Sequence, residues 1–394
     1  MREGRKYCQF GDIASFSRGL TFAKGDVAAE STKKVLRSNN IDLDSHSLNL
    51  DDIACLNEDF DIPDDKKLHR GDVFVCMSNG STQHLGKVAF IEEDMDYAFG
   101  GFMGAIHPDS SRIYPKYVYY SCISSEYRRF LASIFNGVNI NNLKWSELSK
   151  FSIPFPSLPE QERIVTELDL LTGIIDKQKA QLKELDNLAQ SIFYDMFGDP
   201  VENEKGWQQS CYGEQFTIGS GGTPSKSNDA YWNSGTIPWI GSNMCQNCII
   251  NKTDGKFITE EGVAHSSAKL LDEGTVLVAL VGATIGKVAL LQTKTCTNQN
   301  IAHILVQGNK NFAPIFVYYQ LQSLYSFFME LGNGDFKMAN LSFIRSLPII
   351  LPPLVLQQSF AEKIQSIESQ KASINRSIEE SQKLFDYTMD KYFN

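Results

Sequence analysis

Several loop segments carry side chains that suit hydrogen bonding to nucleic-acid bases and phosphates. In the first half, Met77–His84 contains Ser78, Asn79, Thr82 and Gln83, Lys87 follows, and an Asn-rich run over 136–142 includes Asn136 and Asn139. In the second half the corresponding set is Thr223, Ser225 and Lys226, then Tyr231, Lys287, Gln299 within Asn298-Gln299-Asn300, and Asn333 and Lys337 within 333–340. Asn, Gln, Ser and Thr read base edges, and Lys contacts phosphates. Asn/Gly/Ser runs are also what ordinary turns are made of, and residue by residue that reading is favoured. As a set matched between halves, binding is favoured. Tyr119, Tyr120, Tyr318 and Tyr319 sit at helical spacing and are expected in the core.

No motif for catalysis stands out. Gly282–Lys287 is too short for a phosphate loop, and Val288 replaces the Ser or Thr that should follow the lysine. There is no dinucleotide fingerprint and no Asn-Pro-Pro-aromatic tetrapeptide of the amino-methyltransferase kind. The six histidines, at 46, 69, 84, 107, 265 and 303, form no HxxxH or HExxH pair. Acidic pairs such as Asp51-Asp52, Asp64-Asp65 and Glu92-Glu93 read as solvated loop charges. Cys245 and Cys248 make a lone CxxC, half of a zinc site at most. The expectation is a protein without cofactor, metal or catalysis of its own; an enzyme with an unrecognised site stays open.

These loops must be positioned by a repeated framework. Residues 155–197 and 351–393 align at a constant offset of 196. Apolar positions pair across it: Ile164 with Phe360, Leu168 with Ile364, Leu171 with Ile367, Leu182 with Ile378, Leu188 with Leu384. Steps of three, four and seven predict a long helix from Glu160 to Phe197, and a second in the C-terminal copy. Pro159 suits a helix start, and Gly198 with Pro200 a stop. So narrow an apolar stripe needs a partner, and the two helices packing on each other is the simplest solution. The bodies match more loosely. Gly71–Val75 resembles Gly274–Val278, and Gly-Lys-Val-Ala recurs at Gly86–Ala89 and Gly286–Ala289. Short β-rich runs are each followed by a helix-like stretch, near 116–133 and 314–331. The fold class is α+β: two tandem mixed domains, 1–158 and 198–356, separated by helices 159–197 and 357–394 packed as an antiparallel coiled coil.

No apolar run reaches transmembrane length, the N-terminus lacks an apolar signal core, and the eight cysteines are scattered. A cytoplasmic protein with reduced thiols and no membrane contact is expected. The net charge of −10, from 37 basic and 47 acidic side chains, is unusual for a DNA binder. Half of it lies in the two helices.

Together the paired Pro-rich helix starts bearing glutamine, the body–helix–body–helix layout, and the stretch Gly219–Lys226 continuing to Tyr231-Trp232 and Ile237–Ile240 resemble the specificity subunit of type I restriction–modification systems. The resemblance covers nearly the whole chain. It implies two target-recognition domains, each reading half of a split site on double-stranded DNA. It further implies helices that act as spacer and dock two methyltransferase subunits, through residues such as Gln161, Arg163, Gln357 and Gln358, with restriction translocase–nuclease subunits joining. The sequence departs from the pattern where the first body opens Ser17–Phe22 without Thr-Pro-Ser, and where the second helix starts Leu356-Gln357-Gln358 while the first has Glu160-Gln161. Unlike loops in the two bodies imply an asymmetric target. Two modules binding protein or glycan on a coiled-coil stalk, and a methylation-only or other phage-defence complex, are the competing readings.

Overall fold

The computed structural model describes residues 5–135, 142–331 and 338–394. The chain divides into two compact units, 1–179 with 376–394 and 180–375. Each unit thus holds one β-rich body and part of both long helices.

In unit 1 the central sheet runs in the order Ala14–Arg18, Met103–Pro108, Val73–Cys76, Val88–Phe90, antiparallel throughout. Val73–Cys76 is buried along its whole length, so its uninterrupted apolar run reflects a strand covered on both faces. One face, through Val73, Val75 and Ile106, packs on Tyr117 and Val118 of helix Pro115–Ile123 and on Ile164, Leu168 and Phe393 of the long helices. The other, through Phe74, Cys76 and Ala105, packs on Leu36, Leu68 and Phe99 of a second sheet. That sheet runs Val27–Ala28, Ala54–Leu56, Lys34–Leu36, Met95–Phe99, Lys67–Leu68.

Unit 2 repeats the plan. Its central sheet runs Thr217–Ser220, Ile301–Leu305, Val276–Ala279, Val288–Leu291, Cys248–Ile250, the last pair parallel. Val276, Val278 and Ile304 pack on helix Pro314–Ser323 and on the long helices, while Leu277, Ala279 and Ala289 face Ile240, Ile250 and Leu271. The rings of Phe193, Phe197 and Phe316 meet Phe360 or one another at 4.8–6.0 Å. Truncating any of these to Ala should cost about 3–5 kcal/mol.

The long helices are Leu158–Phe197 and Leu354–Phe393, each of 40 residues. They are antiparallel in both units. In unit 1 Arg163 donates to Tyr392 Oη at 3.0 Å and Gln178 to Ser377 Oγ at 2.6 Å. In unit 2 Lys371 pairs with Asp186 at 2.8 Å and Phe193 with Phe360. The helix ends are capped at matching places: Arg5 donates to the carbonyls of Lys391, Tyr392 and Asn394, and Trp207 Nε1 to that of Phe197.

Two expectations about these helices need correcting. Gln161 and Gln357 are fully buried, so neither is a docking residue. Gln161 Oε1 accepts from Tyr114 N at 2.8 Å while its Nε2 donates to Pro156 O at 2.9 Å. Gln357 does the same with Ala313 N, Asn311 O and Pro352 O. Tyr114 and Ala313 immediately precede the body helices, whose first turns have orphan N–H groups. Each glutamine therefore bolts a long helix to its body. Leu188 and Leu384, assigned to the apolar seam, are 48% and 52% exposed; the seam in unit 2 is filled instead by Ala189 and Phe193. Tyr120, Tyr318 and Tyr319 are buried, as their spacing suggests.

Candidate nucleic-acid interface

Four chain segments converge at one end of each central sheet. The first is the extension of the middle strand. In unit 1, Met77 and Ser78 both donate from their backbone N–H to Phe102 O at 2.9 Å, and Met77 O accepts from Leu143 N. In unit 2, Leu280 N donates to Asn300 O and Leu280 O accepts from Ala339 N. The return from this extension explains the repeated Gly-Lys-Val-Ala. Gly86 and Gly286 adopt φ of +74° and +75°, and their N–H groups close on Cys76 O and Ala279 O.

The second segment crosses beneath a turn of the neighbouring strand. A Cβ on Gly19 would lie 2.1 Å from Gly100 O, and one on Gly221 2.1 Å from Thr297 O, so only glycine fits. This register places Thr21 where unit 2 has Thr223, so the first body keeps the threonine while lacking the Pro-Ser that follows. The third segment is a single helical turn: Ser38–Asn40 in unit 1, Ser242–Met244 in unit 2. It gives both units a matched Ser-Asn pair, Ser38-Asn39 and Ser242-Asn243. The fourth is the turn Gly100-Gly101-Phe102, matched by Asn298-Gln299-Asn300.

In unit 1 these segments line a cleft of about 780 Å³ with Arg18, Thr21, Arg37, Asn39, Ser78 and Asn79 on its walls. Asn79 Nδ2 donates to Ser38 Oγ at 3.0 Å, and Arg18 Nε to Gly101 O at 3.2 Å. Asn39 Nδ2 donates to Asp52 O at 3.0 Å and Arg37 pairs with Asp52 at 3.4 Å, both at the surface. In unit 2 Thr223 Oγ1 donates to Gln299 Oε1 at 2.5 Å.

Ser78, Asn79, Thr223 and Gln299 are thus gathered onto matched rims. Thr82 and Gln83 are exposed on the helical turn Thr82–His84, outside the cleft lining. Ser225 and Lys226 are exposed on the loop after Thr223, which Trp232 and Trp239 pin by donating to Ser225 O and Gly222 O. Tyr231 lies half-buried and parallel to His265 at 6.3 Å. Asn136, Asn139, Asn333 and Lys337 lie outside the described residues.

Lys87 is a correction. Only 8% exposed, it donates to Ile41 O at 2.8 Å, and burial holds its pKa below the usual lysine range. It serves the loop behind the rim and not a phosphate. Half-buried Lys287 reaches the same loop in unit 2, donating to Gln246 Oε1 at 2.9 Å. Sequence reading missed Arg18, Thr21, Arg37, the Ser-Asn pairs and Phe102. The repeated Ser-Asn was a readable signal; the others depend on tertiary convergence.

The fold also assembles a Ser–His–Asp chain that sequence spacing did not suggest. Ser17 Oγ lies 2.7 Å from His107 Nε2, and His107 Nδ1 2.7 Å from Asp72 Oδ1. Ser17 sits within strand Ala14–Arg18, in the ladder with Met103–Pro108. Gly219, Leu305 and Thr275 occupy the matching places in unit 2. The chain is a cross-strand tie of one body. Among the described residues no group of His, Cys, Asp and Glu has the makings of a metal site, and no helix is long and apolar enough to cross a membrane.

Comparison with known proteins agrees with the repeated architecture. The family model described as type I restriction modification DNA specificity domain matches twice, over residues 3–187 and 204–381. The chain is 30% identical to the type I restriction enzyme StySPI specificity subunit of Salmonella potsdam over 46% of its own length and 39% of the relative's. It is 26% identical to the EcoR124I/EcoR124II specificity subunit of Escherichia coli over 62% of its length and 63% of that protein's. It therefore spans less than two thirds of either relative. In fold it is similar to the crystal structure of the type I restriction–modification S subunit from M. genitalium, with a TM-score of 0.55 at 13% identity, covering 100% of this chain and 98% of that one. With the model matching nearly the whole chain, in two copies that coincide with the two bodies and their helices, this protein belongs to the type I restriction modification DNA specificity domain family.

Proposed function

We propose that the chain is the DNA sequence-recognition subunit of a type I restriction–modification complex, acting in the cytoplasm. Each body reads one half of a split, asymmetric target on double-stranded DNA. The long helices dock two methyltransferase subunits, translocase–nuclease subunits join, and the chemistry resides in those partners. One observation carries this reading: the same four segments build a polar rim in both units, on a shared framework but with unlike residues. Arg18, Arg37 and Phe102 stand in unit 1 where unit 2 has Ser220, Gly241 and Asn300. Constant geometry with different hydrogen-bonding groups is what reading two different half-sites requires. Thr82, Gln83, Ser225, Lys226 and Tyr231 flank these rims as further candidate contacts, and Lys287 keeps enough exposure to remain one.

The exposed faces of the helices supply the docking side. Leu188 and Leu384 occupy equivalent positions, one in each unit, and both are exposed. A matched leucine in each unit suits two like partners. Arg163 and Gln358 are exposed beside the helix starts, the former paired with Glu160 at 2.7 Å. With a net charge of −10, the chain alone neutralises few phosphates, and phosphate neutralisation dominates affinity. The methyltransferase subunits then contribute much of the hold on DNA. Gel-shift titration at physiological salt tests both statements: sequence-specific binding with the methyltransferase subunits present, and binding weaker than nanomolar without them. Nanomolar binding by the isolated chain overturns the shared clamp; no specific binding by the complex overturns DNA reading.

A further inference from the structure

Among the described residues, and together with Tyr387 on the C-terminal long helix, Phe102 is one of the two most exposed aromatics. Its side chain is 69% exposed, although phenylalanine ordinarily belongs in a core. Its backbone, by contrast, is fixed. Phe102 O accepts from both Met77 N and Ser78 N at 2.9 Å, and Gly100 O from Met103 N at 2.7 Å. The turn is therefore a rigid mount for a ring that projects beside the cleft. That cleft carries Arg18 and Arg37 in a chain that is acidic overall; no carboxylate lines it among the described residues, and the exposed Asp52 that pairs with Arg37 at 3.4 Å lies outside the lining. Asn39, Ser78 and Asn79 add groups of the kind that bond base edges. A rigid apolar ring set among arginines and amide side chains matches a nucleobase, which offers a π-face between hydrogen-bonding edges and phosphates.

We infer that Phe102 is a wedge that stacks on a base at an opened step of the half-site read by unit 1. This rests on the DNA-reading function proposed above. Apolar side chains inserted at base steps unstack and kink the duplex, so the sequence at that step is selected by its ease of opening, without a hydrogen bond to either base. Unit 2 has Asn300 in the matching turn, and an exposed apolar side chain, Met338 at 68%, flanks the other side of the same strand extension. The two half-sites are thus opened differently.

The test uses the full chain assembled with its methyltransferase subunits and duplexes carrying 2-aminopurine at successive positions of both half-sites. The inference expects one position in the half-site of unit 1 to change fluorescence on binding. Phe102→Ala should abolish that change and weaken specific binding roughly 10- to 100-fold, whereas Phe102→Trp should keep both. Because the side chain is exposed, the melting temperature of Phe102→Ala should stay near that of the unaltered chain; the signal from the unaltered complex remains decisive if it does not. No fluorescent position in that half-site, binding by Phe102→Ala within twofold, or equal loss in Phe102→Trp overturns the wedge and leaves DNA reading intact. Absence of specific binding by the unaltered complex overturns DNA reading itself.

Discussion

Replacing Gln161 or Gln357 by Ala should destabilise the protein without touching a partner surface. Each side chain is fully buried and satisfies a backbone N–H just ahead of a body helix, Tyr114 N at 2.8 Å and Ala313 N at 2.9 Å. Each also donates to carbonyls on its own long helix's approach, Pro156 O and Pro352 O. A buried donor left without an acceptor costs about 1–3 kcal/mol, and each lost carbonyl contact adds about 0.5–1.5 kcal/mol. The sum is roughly 3 kcal/mol for either substitution. In a unit of about 200 residues each kcal/mol moves the melting temperature by about 2–4 °C, so a fall of roughly 6–12 °C is expected. Gln358→Ala, one residue away but exposed, should shift stability by less than about 0.5 kcal/mol. Thermal and urea unfolding of the full chain measure the difference. If Gln357→Ala melts with the unaltered protein yet fails to assemble with methyltransferase subunits, the bolt assignment is wrong and the glutamine is a docking residue after all.

Three further outcomes follow from named features. Burial pushes the His303 pKa from 6.5 down to about 4, so the unfolded chain takes up a proton that the folded chain refuses. That contribution is fully present above about pH 6.5 and is lost as pH falls through about 4. His303→Gln should therefore flatten the fall in stability across this window by up to roughly 3 kcal/mol, and an unchanged slope refutes it. Leu188→Lys together with Leu384→Lys should weaken methyltransferase assembly at least tenfold while leaving unfolding within about 0.5 kcal/mol; unaltered assembly places docking elsewhere. Deleting four residues at equivalent positions of both long helices removes about 6 Å from each, close to two base pairs of axial rise, and should shorten the gap of the methylated motif; an unchanged gap refutes the spacer role of the helices.

The helices were legible because an offset of 196 without a gap, with apolar residues at helical steps, is a one-dimensional signal. Which apolar residues face inward was less so. Leu188 and Leu384 fit the periodicity yet are exposed, because Ala189 and Phe193 fill the contact in unit 2 and Phe385 and Met389 fill it in unit 1. Gln161 and Gln357 were found as matched residues but misassigned, since buried and exposed glutamines look alike in sequence; only the bond to Tyr114 N or Ala313 N separates them. Lys87 failed for the same reason: in unit 1 the lysine of Gly-Lys-Val-Ala braces Ile41 O behind a hairpin return and does not face a phosphate. The rims were half legible. Ser78, Asn79, Thr223 and Gln299 were picked out by composition. Arg18, Arg37 and Phe102 were not, because they lie far apart in sequence and converge only through the sheet register.

Methylome sequencing of a host carrying the system tests the central claim most directly, with the body of unit 2 (residues 209–350) exchanged for that of a family member of different specificity. Two independent readers on one scaffold require a bipartite motif in which one half changes while the other half and the gap stay as they were. A motif that changes in both halves, or that does not change at all, contradicts it.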